Sequence, residues 1–578
     1  MSSRDAFKFW LENEYFDKET RDELNSIKDD PKEIEERFYK DLDFGTGGLR
    51  GIIGAGTNRM NIYTVRKATQ GLADYVNTSG MSGRGVVIAY DSRHKSPEFA
   101  LEVAKVFAGN GIKVFLFDEL RPTPELSFAV RYLGAAAGVM VTASHNPKEY
   151  NGYKVYGEDG GQLPIEASDK VLSHIGNIRD LTKVEVMEKA EAMEKGLLKM
   201  IGKEVDDEYI RRLKTLSVNP ELTEKIGERF KIVYTPLHGA GNKSVRRVLN
   251  ETGFKNVLVV KEQEEPDPNF PTVKAPNPEE KDTFKLAIDL AKQEDVDLII
   301  GTDPDGDRVG VVVRNKEGDY VILTGNQTGC LLLEYMLSQK KSRRELPNNG
   351  FVVKTIVTTE LARIIAKAYN IELIEVLTGF KFIGEKIKQL DEFGDKKYLF
   401  GFEESCGYLA GTFARDKDAV FASMLIAEMA AYYKSRDMTP YEGLLEIFEN
   451  YGHTLEGITY FTLEGKEGVE KIKSALSNLR ENKTVVFGDY VASAVRDYLK
   501  GERYIVKTGG KEELTLPESD VLYYEIKDGC WFCIRPSGTE PKIKIYYGVR
   551  GVTMDDAKKE LESLQNSVLT IIKKLLFD

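Results

Sequence analysis

Cysteine is scarce in this chain, four in 578 residues, which excludes a disulfide framework and points to a reducing compartment. Cys530 and Cys533 do stand two residues apart, but the run from 530 to 534 has the composition of a strand, whereas a redox pair opens a helix. No apolar run reaches the length of a membrane span; the longest greasy stretch, Ala419 to Tyr433, is interrupted by Glu428 and reads as a buried helix. The first dozen residues contain acids and no apolar core, unlike a secretory signal, so the expected location is cytoplasmic. Basic clusters are missing too. With a formal charge of −12 and no stripe of lysine or arginine, the chain is expected to bind neither nucleic acid nor a membrane, although a small anion met by locally converging cations stays open. The glycine-rich stretch from Phe44 to Arg50 lacks the dinucleotide spacing and has no phosphate-loop lysine, which excludes both of those sites.

What is present is ordinary globular material, 41% hydrophobic and 30% charged, in a length that calls for roughly four domains. Strand and helix signals alternate through the first 200 residues, with apolar strands expected at 86–90, 113–117 and 137–141 and a helix near 100–108. The same pattern returns from 230–234 to 296–300 and from 351–355 to 397–400, so mostly parallel sheets covered by helices are expected. The last ~125 residues break the pattern. A helix at 470–482, strands at 521–526, 531–534 and 543–547, and a closing helix from 553 describe a smaller α+β unit. The expected divisions are 1–204, 205–324, 325–449 and 450–578; the charged stretches 188–203 and 340–345 read as linkers or as solvated helical faces.

The unusual sequence lies in loops after strands, where α/β proteins place their chemistry. The first is Thr142-Ala-Ser144-His145-Asn-Pro147, with Lys154 shortly downstream. A serine beside an imidazole suits a nucleophile or a phosphoryl carrier, although Asn-Pro and hydroxyls also make plain turns. The second, Asp303-Pro-Asp305-Gly-Asp307-Arg308, sets three carboxylates on alternate residues, which suits a hard cation such as Mg²⁺. It is no EF-hand, because Arg308 and Arg314 occupy the positions that would need glycine and glutamate. In the third, Gly401-Phe-Glu403-Glu404-Ser405, acceptors for sugar hydroxyls compete with a helix-capping role. The fourth, Arg535-Pro-Ser537-Gly538-Thr539-Glu-Pro-Lys542, offers a guanidinium fork, hydroxyls and exposed amides as an anion nest, or else a simple hairpin turn. Lys381, expected in a small glycine-flanked loop at 379–382, reads on its own as solvated surface.

In these four loops and in their order, over nearly the whole chain, the sequence resembles the α-D-phosphohexomutases, the family of phosphoglucomutases and phosphomannomutases. The resemblance implies three similar mixed-sheet α/β domains and a smaller C-terminal α+β domain around a central cleft. It implies that a phosphoryl group moves between two hydroxyls of one sugar by way of phosphorylated Ser144, with Mg²⁺ on Asp303, Asp305, Asp307 and the phosphoserine. Glu403 and Ser405 would contact the sugar, and Arg535, Ser537, Gly538 and Thr539 the phosphate that is not transferred. Arg50, His145, Lys154, Arg308 and Lys381 would line the reacting centre. Glucose 1,6-bisphosphate would serve as intermediate and activator, and a small phosphosugar would be the partner of a monomer or homodimer. Pro304 and Phe402 depart from many relatives without removing a ligand. Thr142 and the Glu-Glu-Ser order resemble glucose-handling members more than mannose or glucosamine ones; the start from Phe44 to Arg50 resembles a subgroup that includes pentose-phosphate enzymes. Outside the family, the alternatives are a phosphohydrolase with Asp303 or Asp305 as nucleophile and a non-catalytic phosphosugar binder.

Overall fold

A computed structural model describes residues 2–45, 48–392, 394–463, 465–537 and 542–577. Three helices, Ser3–Glu12, Lys18–Ser26 and Pro31–Phe38, come first and were not read from the sequence. They close around Trp10, which stacks on Phe16 at 4.3 Å between ring centres and meets Phe38 and Tyr63 edge-on.

The first sheet runs in the order Gly48–Ile52, Tyr150–Gly157, Ala137–Val141, Val86–Tyr90, Val114–Phe117, Leu198–Ile201. Its last four strands are parallel and its first two antiparallel, so the sheet is mixed. Leu198–Ile201 corrects the expectation of a linker or solvated helix over 188–203. After a short helix, Lys189–Glu194, this stretch adds an edge strand that buries Leu198 and Ile201, while the surrounding charges, which masked it, stay at the surface.

A second sheet is ordered Tyr320–Leu323, Val309–Arg314, Leu298–Thr302, Lys231–Thr235, Asn256–Val259, and a third Glu372–Val376, Gly350–Thr355, Lys397–Glu403, Gly407–Leu409. One core reaches across all three units, from Val87 to Phe448. At its centre the helix Ala419–Lys434 is buried nearly all round. The carboxylate that interrupts it in the sequence is satisfied, since Glu428 accepts from the amides of Val218 and Asn219 at 2.8 and 2.9 Å, from the Tyr335 hydroxyl at 2.9 Å and from Ser217.

The fourth sheet is antiparallel, in the order His453–Thr462, Lys542–Gly551, Trp531–Pro536, Leu522–Glu525, Ala494–Asp497, Glu502–Ile505, Lys511–Glu513. Helices Gly465–Glu481 and Met554–Phe577 cover one face. The other packs Tyr523, Trp531, Cys533 and Tyr546 against Ile356, Val357 and Leu377 of the third unit. Cys530 and Cys533 are free, buried thiols, and burial pushes Cys533 up to about 12. Among the described residues no helix is long and apolar enough to cross a membrane.

Candidate active site

Each of the four motif loops turns a β-hairpin: Val141 to Tyr150, Thr302 to Val309, Glu403 to Gly407 and Pro536 to Lys542. In the first three, the strand that enters the hairpin also pairs in parallel with a neighbour, so each loop leaves the carboxyl end of a parallel strand.

The serine loop is closed by Thr142, whose Oγ1 donates to Asp91 Oδ2 at 2.6 Å and accepts the Ser144 amide at 2.7 Å. Ser144 takes a φ of +53, a left-handed conformation that a serine adopts only where its surroundings impose it. It is 3% exposed, and its Oγ donates to Asp303 Oδ2 at 2.8 Å, with His145 Nδ1 3.2 Å away. Gly152, opposite on the neighbouring strand, has no room for a Cβ, which would lie 2.5 Å from the Thr142 carbonyl oxygen.

Asp303, Asp305 and Asp307 are buried, each offering an oxygen within 4.8 Å of the others. Asp303 Oδ1 accepts the amides of Asp307 and Arg308 at 3.1 and 2.9 Å. Asp305 Oδ2 accepts from Thr123 Oγ1 at 3.0 Å and from Lys154 at 2.7 Å; Asp307 Oδ2 lies 3.3 Å from Lys154 and 2.8 Å from Lys417. Burial and the two other carboxylates push Asp303 well above the usual range. Burial pushes Asp305 the same way, but Lys154 and Lys417 outweigh it and hold Asp305 low. Oδ1 of Asp305 and Oδ1 of Asp307 are buried with no hydrogen-bond partner. Such orphaned hard oxygens, converging from one turn, fit a divalent cation of the magnesium kind.

Cations surround this trio. Arg50, opposite Gly152 across the first sheet, reaches Asn146 Oδ1 at 3.4 Å. Arg308 pairs with Glu279 at 2.6 Å and keeps a buried Nε without a partner. Burial, Arg308 and Arg50 hold His145 well below its ordinary value, so it is neutral. Glu403 accepts from Ser405 Oγ at 3.0 Å and is raised by burial against the pull of Lys417 and Arg308. Glu404 beside it takes long contacts from Thr355 and Thr358, at 3.3 and 3.4 Å; burial and Glu403 push it up to about 7, with Arg535 opposing.

Arg535 stands opposite Lys544 in the fourth sheet. Burial, then Arg535 and Arg308, lower Lys544. The Ser537 amide closes the hairpin on the Lys542 carbonyl at 2.7 Å; Gly538 and Thr539 lie outside the described residues. Lys381 differs from its expectation. The helix Phe380–Glu392 begins one residue earlier, so Lys381 lies in a first turn rather than a loop, its ammonium 4.9 Å from the centre of the Phe382 ring. Among the described residues no hydrogen bond joins it to Ser144 or to the aspartates, and burial lowers it.

The structure therefore gathers Ser144, His145, Lys154 and the three aspartates into one hydrogen-bonded cluster. Lys417 and Thr123, which bind the trio, were not found from the sequence. Lys417 does have a signal, because Arg415, Asp416, Lys417 and Asp418, all buried, directly precede the mostly apolar helix Ala419–Lys434. Four charges in a row beside such a helix must be paired inside the protein.

Family models described as phosphoglucomutase/phosphomannomutase alpha/beta/alpha domains I, II and III match residues 41–181, 207–318 and 324–451. A phosphoglucomutase of Staphylococcus saprophyticus is 37% identical over 561 residues, 96% of this chain and 98% of that protein. One of Staphylococcus aureus is 38% identical over 534 residues, 92% and 94% of the two chains. Among solved structures, parafusin, a phosphoglucomutase of Paramecium in its open form, superposes with a TM-score of 0.68 at 17% identity, over 93% of this chain and 97% of that one. A phosphoglucomutase/phosphomannomutase family protein of Burkholderia thailandensis gives 0.63 at 20% identity, over 92% and 97%. These two likenesses speak to the fold.

Proposed function

The chain belongs to the phosphoglucomutase/phosphomannomutase family and is an isomerase that interconverts sugar 1-phosphates and sugar 6-phosphates; we propose that its sugar is glucose and that the phosphoryl group travels on Ser144. The observation that carries the second part is the 2.8 Å hydrogen bond from Ser144 Oγ to Asp303, between residues 159 apart in sequence and on different sheets. A carrier hydroxyl has to meet the charge-neutralising groups wherever the phosphoryl group is gained and lost.

Phosphorylated Ser144 faces the free hydroxyl of a sugar phosphate whose own phosphate rests on Arg535, Ser537 and the loop they begin. The bond from phosphorus to the serine oxygen breaks, the bond to the sugar oxygen forms, the hydroxyl proton passes to a neighbouring base, and the serine oxygen takes up a proton in its turn. Lys154, His145 and Lys381 are the candidates. Of these His145 lies 3.2 Å from Ser144 Oγ and is lowered by burial, while Lys154, against its burial, is raised by Asp305 and Asp307. The product, glucose 1,6-bisphosphate, turns end over end and returns its other phosphoryl group to Ser144. Arg50 and Arg308 carry positive charge to the reacting phosphoryl, and Glu403 with Ser405 takes the sugar hydroxyls. Asp303, Asp305, Asp307 and the phosphoserine would hold Mg²⁺, which when bound neutralises charge on the transferring group.

Glucose is supported by the names of the staphylococcal relatives and by Thr142 and the Glu403-Glu404-Ser405 order. A coupled assay with Mg²⁺ and catalytic bisphosphate, run on the 1-phosphates of glucose, mannose, glucosamine and ribose, tests it. The glucose ester is expected to give the highest kcat/KM, as isomer with little free phosphate; a higher value for mannose or ribose assigns the site to that sugar. Ser144→Ala is expected to lose roughly a thousandfold or more in kcat. Near-normal turnover in that variant removes the covalent scheme.

A further inference from the structure

We propose that Arg93 is the positioning residue for the phosphoryl-carrying serine, an inference that rests on the reading of Ser144 given above. Arg93 follows the strand Val86–Tyr90 and is 1% exposed. Its Nη2 donates to the carbonyl oxygen of Ser144 at 2.5 Å and to that of Asn146; its Nη1 donates to the carbonyl oxygens of Pro147 and Tyr150 at 2.8 and 3.1 Å. One side chain thus binds four carbonyls, three in the loop that carries Ser144 and one at the first residue of the strand that follows it. The Nε edge faces Asp91 at 3.4 Å, the same carboxylate that holds Thr142. The guanidinium carbon lies 5.0 Å from the centre of the Phe270 ring, which the second unit supplies, and the next residue, His94, meets Asn269 Oδ1 at 3.0 Å.

These contacts assign a role distinct from phosphate binding. The terminal nitrogens of Arg93 point at backbone carbonyls, so the side chain grips the loop and not the group the loop carries. Phosphorylated Ser144 brings about two negative charges beside three aspartates, so the loop that carries it has to be held at a fixed distance from the trio whether or not a cation bridges them. A buried fork anchored on both sides of the serine resists displacement, and through Phe270 it registers the loop against the unit that bears Asp303. Only a guanidinium presents donors in this planar fan; an ammonium has the charge without the geometry.

The test uses the full chain with Mg²⁺, glucose 1-phosphate and glucose 1,6-bisphosphate. Arg93→Lys is expected to melt cooperatively, to lose about a hundredfold in kcat, and to keep KM within about threefold, because the anchoring loop at Arg535 is untouched. For Arg93→Ala, added guanidinium but not methylammonium is expected to restore kcat by about tenfold or more, a rescue that a merely structural residue would not show. A lysine variant with kcat within about threefold of wild type, a loss confined to KM, loss of the cooperative melt, or absence of guanidinium rescue each overturns the inference. Ser144→Ala is assayed alongside. If it turns over, the reading of the serine has failed; if it is inactive while Arg93→Lys is normal, only the role of Arg93 has failed.

Discussion

Three carboxylates within 4.8 Å of one another repel strongly in a buried setting, and the chain answers with specific partners for each. Asp303 takes two backbone amides, Asp305 a lysine and a threonine, and Asp307 two lysines. Two oxygens are still left over, which is why the trio reads as a cation site and not as a structural ion-pair cluster. In the proposed scheme Arg535 holds the phosphate that is not transferred. Arg535→Ala is expected to raise KM for glucose 1-phosphate by roughly 10- to 100-fold with a smaller change in kcat, since a charge-assisted fork to phosphate is lost. Steady-state kinetics at saturating Mg²⁺ decides, and an unchanged KM would take that loop out of the binding site. At this scale the aspartates were legible because alternate spacing in a turn has few other purposes. Arg93, Thr123 and Lys417 were not, because a single charged or hydroxyl residue looks like surface until the fold buries it.

The hairpin is the element that repeats. In each of the first three units a strand enters a short turn, the turn presents polar groups, and the returning strand locks them by antiparallel pairing; in the fourth, Trp531–Pro536 and Lys542–Gly551 pair in the same sense. Strands were legible at Val86–Tyr90 and Leu298–Thr302, where apolar residues run unbroken, but Val309–Arg314 and Tyr320–Leu323, equally apolar, were not read. The edge strands Leu198–Ile201 and Lys511–Glu513 were not, because charges break their pattern, and neither was the interior strand Ala494–Asp497, which carries Arg496 and Asp497. The buried helix Ala419–Lys434 yields a pH prediction. Its N-cap, Asp418, accepts the Phe421 amide at 2.8 Å and the Tyr209 hydroxyl at 2.8 Å, yet burial pushes it up from 3.8 to about 6. A carboxyl raised in the folded state binds its proton more tightly there than in the unfolded chain. Its contribution to stability therefore falls as pH rises from about 4 to about 6, by up to roughly 3 kcal/mol, and is flat above. Asp418→Asn lacks that slope, so melting curves should show the variant gaining on the wild type across this window. A difference between the two that is the same at both ends of the window contradicts the assignment.

Across the whole molecule, the first two units meet directly, with Ser144 and Lys154 of one bound to the aspartates of the other and the Thr123 amide donating to the Asp305 carbonyl at 2.8 Å. The third and fourth are joined by a shared apolar cluster and by Arg496, which reaches Glu375 at 3.4 Å and Glu525 at 2.6 Å. The third unit also reaches this cluster, because Lys417 pairs with Asp307 at 2.8 Å. The sequence could show four loops in order, but not that the first meets the second at Ser144 and Asp303, because that meeting depends on packing between residues 159 positions apart. The account's central claim is that Ser144 carries the phosphoryl group, and the most direct measurement follows that group itself. Full-length protein, freed of phosphate, is incubated with glucose 1,6-bisphosphate labelled in its phosphates, and the label is located by peptide mass spectrometry before and after a chase with unlabelled glucose 1-phosphate. The prediction is label on Ser144 alone, leaving with the sugar during the chase. Label found on an aspartate of the 303–307 turn, or released as free phosphate, would contradict it.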